Sequence, residues 1–176
     1  MKPARKKASI LWAAVLVVGL GWVSSYAALQ FYQPNRGARL IVYLKAKAKY
    51  SAWSHVVVTV MLSNQTTGKL LINNRLRTNR YPLDGELSFI IRGPDGQECA
   101  FKKAVSPREI LDSEIITLGV GETTEQSVDL TDVYGMSQRG TYRIQVLYYN
   151  RTDLDKDGLS LWRGVIASEP VEITLQ

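Results

Sequence analysis

The stretch that decides the fold class is His55-Val56-Val57-Val58-Thr59-Val60-Met61-Leu62-Ser63. Its even-numbered positions, from Val56 to Leu62, are all aliphatic, so every second side chain points to the same side. A strand with one buried face has this period of two, whereas an amphipathic helix repeats about every 3.6 residues. Turn-forming residues 64–68 follow directly. The stretch therefore predicts a half-buried β-strand that ends in a turn.

Segments of the same kind recur through residues 40–176. Residues 40–50 alternate so that Lys45, Lys47 and Lys49 share the face opposite Leu40 and Tyr50. Gly93-Pro94-Asp95-Gly96 has the composition of a hairpin turn. Further strands are predicted at 69–73, 85–92, 97–101, 115–118, 125–130, 140–149 and 165–175, with one helical turn at 106–112. Eight or nine short strands without a long helix predict an all-β antiparallel sandwich over residues 40–176.

The N-terminal segment has the pattern of a membrane anchor. A basic tail of residues 1–7 precedes residues 8–32, which contain no charged side chain. About 20 apolar residues cross a bilayer as a helix, so residues 8–32 are predicted to be a transmembrane helix joined to the domain by a linker at 33–39. Gly21 and Ser25 form a small-xxx-small pair that would let another helix pack closely.

Two alternatives for this segment stay open. A secretory signal peptide cleaved after Ser25-Tyr26-Ala27 is the competing interpretation. If the segment is retained, the basic tail favours a single-pass protein with a cytoplasmic N-terminus and a periplasmic C-terminal domain in a bacterial inner membrane.

The positive charge of the chain belongs to its N-terminal part. Nine of the 22 Lys and Arg lie within residues 1–50, which contain no acidic residue, whereas residues 51–176 are mildly acidic. A nucleic-acid-binding domain would carry the basic patch on its folded part, so we expect no nucleic-acid partner. The basic side chains just after the anchor are predicted to contact either anionic lipid headgroups or an acidic patch of a partner protein. They are Arg36, Arg39, Lys45, Lys47 and Lys49.

The sequence contains little that indicates catalysis. His55 is the only histidine and Cys99 the only cysteine, so no disulfide within the chain and no cysteine cluster for a metal is possible. Cys99 alternates into a predicted strand and is interpreted as a buried structural thiol. We therefore expect a protein that is not an enzyme, with no small-molecule substrate. A hydrolase or metalloenzyme built on a sandwich is the less favoured alternative.

One loop resembles a calcium-binding sequence. Asp153, Asp155 and Asp157 alternate and are followed by Gly158, as in the first half of an EF-hand loop, and carboxylate oxygens are the ligands that Ca²⁺ prefers. The twelfth position is Gly164 where such a loop has a bidentate Glu. The sequence thus offers Ca²⁺ as the one possible cofactor, against the alternative of a solvated acidic turn.

Several short motifs together resemble the immunoglobulin-like and fibronectin-like modules of bacterial exported proteins. They are Leu118-Gly119-Val120-Gly121-Glu122, Gly140-Thr141-Tyr142, Trp162-x-Gly164 and Ser168-x-Pro170-Val171. The resemblance implies an Ig-like sandwich in which Tyr142 forms a tyrosine corner and Trp162 has a structural role. Ile144 stands where antibody-type domains have a disulfide cysteine, so the core would be held by packing alone.

These expectations lead to two functional hypotheses. The first is a non-catalytic accessory subunit of a larger membrane complex, a bacterial photosynthetic or respiratory complex for example, which binds the extracytoplasmic face of the integral membrane subunits. The second is a free-standing, membrane-tethered module that binds a ligand or protein, of the adhesion, chaperone or inhibitor type. The sequence leaves the partner unidentified.

Overall fold

The structure is a computed structural model that describes residues 40–80, 86–103 and 108–176. These residues form short strands, one α-helical turn, α1 (Leu130–Val133), and one 3₁₀ turn at Asp112–Glu114. The strands are β1 (Leu40–Lys45), β2 (Lys49–Tyr50), β3 (Val57–Asn64), β4 (Leu70–Asn73), β5 (Leu87–Arg92), β6 (Ile115–Leu118), β7 (Thr123–Asp129), β8 (Gly140–Asn150), β9 (Asp155–Lys156), β10 (Leu159–Ser160), β11 (Gly164–Ala167) and β12 (Val171–Leu175).

The predicted tail, anchor and linker, residues 1–39, lie outside the described residues, and with them Gly21, Ser25, Arg36 and Arg39. Within the described ranges, no helix has the length and apolar character needed to span a bilayer.

Two sheets account for most of the strands. The first has the order β1-β3-β7 and is antiparallel throughout, with Val42 opposite Leu62 and Val58 opposite Val128. The second is built on the long strand β8, which pairs with β5 on one side. On its other side, β8 pairs with β12 through residues 140–144 and with β11 through residues 147–150. Strand β2 pairs in parallel with β12 at its edge. Two small antiparallel pairs, β4 with β6 and β9 with β10, complete the described strands.

The buried faces of the two sheets share one core. The alternating residues of β3 and its preceding loop, from Val56 to Leu62, are at most 1% exposed and pack with Ile144, Val146 and Tyr148 of β8. The period-two pattern was therefore a correct guide to the buried face. The all-β class is confirmed, and the antiparallel sheets around a common core are compatible with a β-sandwich.

The structure divides two predicted strands. The predicted strand 40–50 breaks at residues 46–48, where the chain leaves the first sheet and joins the second as β2; Ala48, expected on the buried face, is exposed. The predicted strand 165–175 is interrupted before β12, because Pro170 has no N–H for the ladder. At that break the Ser168 side chain accepts a hydrogen bond from the Val146 N–H (3.2 Å).

Smaller differences concern the predicted strand 97–101 and the predicted helical turn. The former makes only isolated bridges, Arg92 to Glu98 and Phe101 to Tyr134. The 3₁₀ turn at Asp112–Glu114 overlaps only the end of the predicted turn 106–112, whose first two residues lie outside the described ranges. The turn at Gly93 to Gly96 agrees with its prediction, since the Gly96 N–H donates to the Gly93 carbonyl (2.9 Å) and Gly96 has φ +76°.

The strands run between two ends of the domain. One, which we call the entry end because β1 begins there, contains Leu40, the turns at 64–68 and 119–122, and the start of β5. The Trp53 end contains residues 46–56 and α1. Since a strand rises about 3.3 Å per residue, Leu40 and Lys45 at opposite ends of β1 lie roughly 17 Å apart.

Candidate functional site

Trp53 is the most exposed large apolar residue in the described part of the chain, at 87%. Its backbone is in the left-handed region, with φ +68°, a conformation that costs on the order of 1–2 kcal/mol for a residue with a Cβ. Hydrogen bonds fix the turn: the Ala52 N–H donates to the carbonyl of Gln176 (2.6 Å), and the N–H and hydroxyl of Ser54 both donate to the Ser51 carbonyl (3.1 and 2.7 Å). The indole is therefore held out into solvent by an ordered backbone.

The residues before this turn carry exposed cations. Lys47 and Lys49 are exposed on the segment that joins the two sheets. Beneath them Tyr50 is 7% exposed, and its hydroxyl accepts from the Lys47 N–H (3.1 Å) and donates to the Val57 carbonyl (2.7 Å). A concavity of about 320 Å³ is lined by Lys47, Lys49, Tyr50, Ser51, Ser54, His55 and Val57. A buried tyrosine thus fixes the segment that carries the lysines, and Ser51 and Ser54, which flank the turn of Trp53, line the same concavity.

The outer face of the first sheet continues this surface with apolar side chains. Tyr43 on β1 is 44% exposed and Val57 on β3 is 45% exposed. Lys45 is also exposed on this outer face, and it pairs with Thr59 of β3. Trp53, Tyr43, Val57 and the three lysines form a mixed apolar and cationic surface, which we call the Trp53 surface.

His55 and two aspartates meet next to this surface. His55 Nδ1 lies within hydrogen-bond distance of Asp129 Oδ2. The other oxygen of Asp129 caps α1, accepting from the N–H (3.0 Å) and hydroxyl (2.6 Å) of Thr131. Burial acts to raise the pKa of Asp129, but the hydrogen bonds from Thr131 and His55 outweigh it and hold that pKa below its usual value. Asp132 contributes a third donor group, exposed to solvent.

A cavity of about 380 Å³ lies beside Cys99 and Tyr134. Burial, followed by the negative charges of Asp95 and Glu98, raises the pKa of the Cys99 thiol to about 11. The thiol is therefore protonated at neutral pH and is a poor nucleophile. The Tyr134 hydroxyl accepts from the Phe89 N–H (3.0 Å), and burial raises its pKa to about 12. Both groups fit a structural role better than a catalytic one.

Tyr142 and Trp162 occupy structural positions. Tyr142 is 1% exposed, and its hydroxyl donates to the Gln138 carbonyl (2.7 Å) and accepts from the Gln138 N–H (3.0 Å), which is the geometry of a tyrosine corner. The Trp162 ring packs against Tyr148, with centroids 5.3 Å apart. Gly164 has φ +144°, and a Cβ there would lie 3.2 Å from the Trp162 ring, so this position favours glycine.

The predicted calcium loop forms a tight hairpin between β9 and β10. Asp157 and Gly158 both have positive φ (52° and 74°), as a type I′ turn requires. Asp153 is paired with Arg163, whose Nη1 lies 2.7 Å from Asp153 Oδ2. In the described ranges, the one group of three or more potential ligand residues with donor atoms within 4.8 Å of one another is His55, Asp129 and Asp132, not the three aspartates of the hairpin. Calcium binding by this loop stays a prediction.

Sequence reasoning did not single out Trp53 or the contact of His55 with Asp129. Trp53 lies in the turn before β3, so the alternation of that strand does not fix the direction of its side chain. The His55 contact joins residues 74 positions apart and depends on the pairing of β3 with β7, so no local pattern announces it.

Comparison with known proteins does not place the chain in a family: no protein-family model matches it, and no curated protein gives a significant match.

Proposed function

We propose that this protein is a non-catalytic accessory subunit of a larger complex in a bacterial inner membrane, such as a photosynthetic or respiratory complex. Residues 8–32 would anchor it, with residues 1–7 in the cytoplasm and the domain in the periplasm. The domain would be an Ig-like sandwich that binds the extracytoplasmic face of the integral subunits. The tyrosine-corner geometry of Tyr142 supports the Ig-like assignment.

Trp53 is the observation that carries the proposal. Tryptophan is enriched among the residues that contribute most to protein–protein binding, since it buries a large area with few rotatable bonds. Here the side chain is 87% exposed on a backbone that disfavours any residue with a Cβ, and it packs on no core. A costly conformation that displays an apolar ring is expected where that ring binds a partner.

The lysines of the Trp53 surface favour an acidic protein partner over the bilayer near the anchor. Lys45 lies roughly 17 Å along β1 from Leu40, the described residue nearest to the predicted linker. With the entry end toward the membrane, Lys45, Lys47 and Lys49 would lie at the far end of the domain from the headgroups. Cations in this position would speed and orient docking to an acidic surface.

The test is co-migration with a complex after gentle detergent extraction of membranes from the native host. The wild-type chain is expected to run with a large complex on native gels, at a fixed ratio to its subunits by mass spectrometry. Trp53→Ala should lower the bound fraction at least about tenfold, as a hot-spot residue would. Val120→Ala is the matched control, because Val120 is 62% exposed at the entry end.

Two results would contradict the proposal. Co-migration of Trp53→Ala at the wild-type ratio would remove the Trp53 surface from the interface. A wild-type chain that migrates as a lone small particle would favour the second candidate, a free-standing tethered module that binds a ligand or protein. The cavity beside Cys99 supports that second candidate, since its lining by Phe89, Phe101 and Tyr134 is suited to an apolar ligand.

A further inference from the structure

We propose that His55, Asp129 and Asp132 form a binding site for a divalent transition-metal ion, with Zn²⁺ as the best fit. The site lies beside the Trp53 surface and is independent of the function proposed above. It differs from the calcium loop predicted from the sequence in both its residues and its ligand chemistry.

The three ligands come from separate elements that the fold brings together. His55 precedes β3, Asp129 ends β7 and Asp132 lies on α1. Cross-strand pairing of Val57 with Asp129 brings the histidine next to the aspartate, and one donor atom from each of the three residues lies within 4.8 Å of the others. Because Asp129 Oδ1 is occupied by Thr131, Oδ2 is the oxygen presented to the site.

The donor set selects the class of ion. One imidazole nitrogen with two carboxylate oxygens suits Zn²⁺ and its neighbours, whereas Ca²⁺ and Mg²⁺ are bound mainly by oxygen. Zn²⁺ lies about 2.0–2.2 Å from such ligands, so the ion would replace the present contact between His55 and Asp129. The His55 side chain is 74% exposed and has room to make that adjustment. Three protein ligands leave a fourth position for water or for a group from a partner.

Nearby cations will limit the affinity. Lys103 and Arg77 line a pocket together with Asp129 and Asp132, and Lys47 and Lys49 line the concavity that includes His55. We therefore expect a moderate affinity.

The sequence makes the site unusually easy to test. His55 is the only histidine of the chain, and residues 1–39 contain no His, Cys, Asp or Glu. The undescribed residues 81–85 and 104–107 add a single carboxylate, Asp84. Any binding that requires an imidazole must therefore involve His55.

The experiment uses the full-length chain in detergent, purified without a polyhistidine tag and stripped with a chelator. Titration with Co²⁺, followed by visible absorption, and with Zn²⁺, followed by calorimetry, is expected to give one equivalent of bound metal. His55→Ala should abolish both signals, and Asp132→Asn should weaken binding about tenfold or more. Asp129 is left intact because it caps α1.

Glu125→Gln is the matched control, since it removes an exposed carboxylate from β7, the strand that ends at Asp129, and should leave the titration unchanged. Circular dichroism of each variant excludes unfolding as the cause of lost binding. The site does not exist if the wild-type chain binds no metal in saturable fashion, or if His55→Ala binds as well as wild type. Neither outcome bears on co-migration with a membrane complex, so the two proposals fail separately.

Discussion

The entry end buries polar side chains, whereas the Trp53 end exposes an apolar one. At the entry end Asn64 is fully buried, and its side-chain amide donates to the carbonyls of Gly68, Leu118 and Gly119 at 2.9–3.0 Å. At the Trp53 end an indole is 87% exposed beside exposed lysines. Buried groups with satisfied hydrogen bonds stabilise the fold, whereas exposed groups held in fixed positions are available to a partner.

The strongest contacts of the entry end surround Glu86. Its carboxylate pairs with Arg75, with Nη2 to Oε1 at 2.6 Å, and both side chains are less than 5% exposed. It also accepts from the Asn73 side chain (2.9 Å) and from the Arg77 N–H (3.0 Å). This network ties the chain after β4 to the start of β5. The ion pair at the entry end is buried and has a structural role, whereas Lys47 and Lys49 at the Trp53 end are exposed to solvent.

The largest expected effect is that of Glu86→Ala. Removing one partner of a buried ion pair leaves Arg75 uncompensated, so the free energy of unfolding should fall by about 3–5 kcal/mol. Glu86→Gln keeps an acceptor oxygen and should cost less. The measurement is urea unfolding, with the exposed Glu125→Gln as control, for which a change within about 0.5 kcal/mol is expected. Equal stability of Glu86→Ala and wild type would refute the structural role of this network.

A smaller effect of opposite sign is expected from Trp53→Gly. Glycine adopts φ +68° without a Cβ clash, so the free energy of unfolding should rise by about 0.5–1 kcal/mol while partner binding is lost. Trp53→Ala keeps the backbone strain and should leave stability nearly unchanged. A large loss of stability in either variant would mean that Trp53 packs on the domain, and the contrast between the two ends would disappear.

The smallest effect concerns the pH dependence of stability at Asp129. Its folded-state pKa lies below its usual value, so the ionised carboxylate stabilises the fold above about pH 4, and that contribution is lost as the pH falls through the folded pKa. Asp129→Asn retains a capping side chain but cannot titrate. The gap between wild type and variant in urea unfolding, under about 1 kcal/mol near pH 7, should narrow as the pH falls through the folded pKa of Asp129. An unchanged gap would argue against a lowered pKa.

The β-class and the buried faces were predictable from the sequence because they depend on a local period. Val58 and Leu62 are buried as the alternation requires, and the turn at Gly93 to Gly96 forms as its composition indicates. The same logic failed at residues 46–48. Alternation continues through Ala48, but the pattern cannot tell that the strand changes sheets there to pair with β12.

A local pattern is also ambiguous where the same residues suit two different loop structures. Alternating aspartates before Gly158 are compatible with a calcium loop and with a type I′ hairpin, since both need a residue that accepts positive φ. The chain forms the hairpin at Asp157 and Gly158, and calcium binding there stays a prediction.

By itself, the sequence determined that residues 40–176 would fold as short strands with one apolar face, since that requires only hydrophobic periodicity and turn residues within a few positions of one another. Only the tertiary structure decided which residues could act together. His55 contacts Asp129 because β3 pairs with β7, which brings together residues 74 positions apart. Glu86 contacts Arg75 across the segment between β4 and β5, and burial of both side chains depends on the packing of the whole domain. Trp53 is exposed because the turn that carries it is tied to the C-terminal residue Gln176, a contact between opposite ends of the domain sequence.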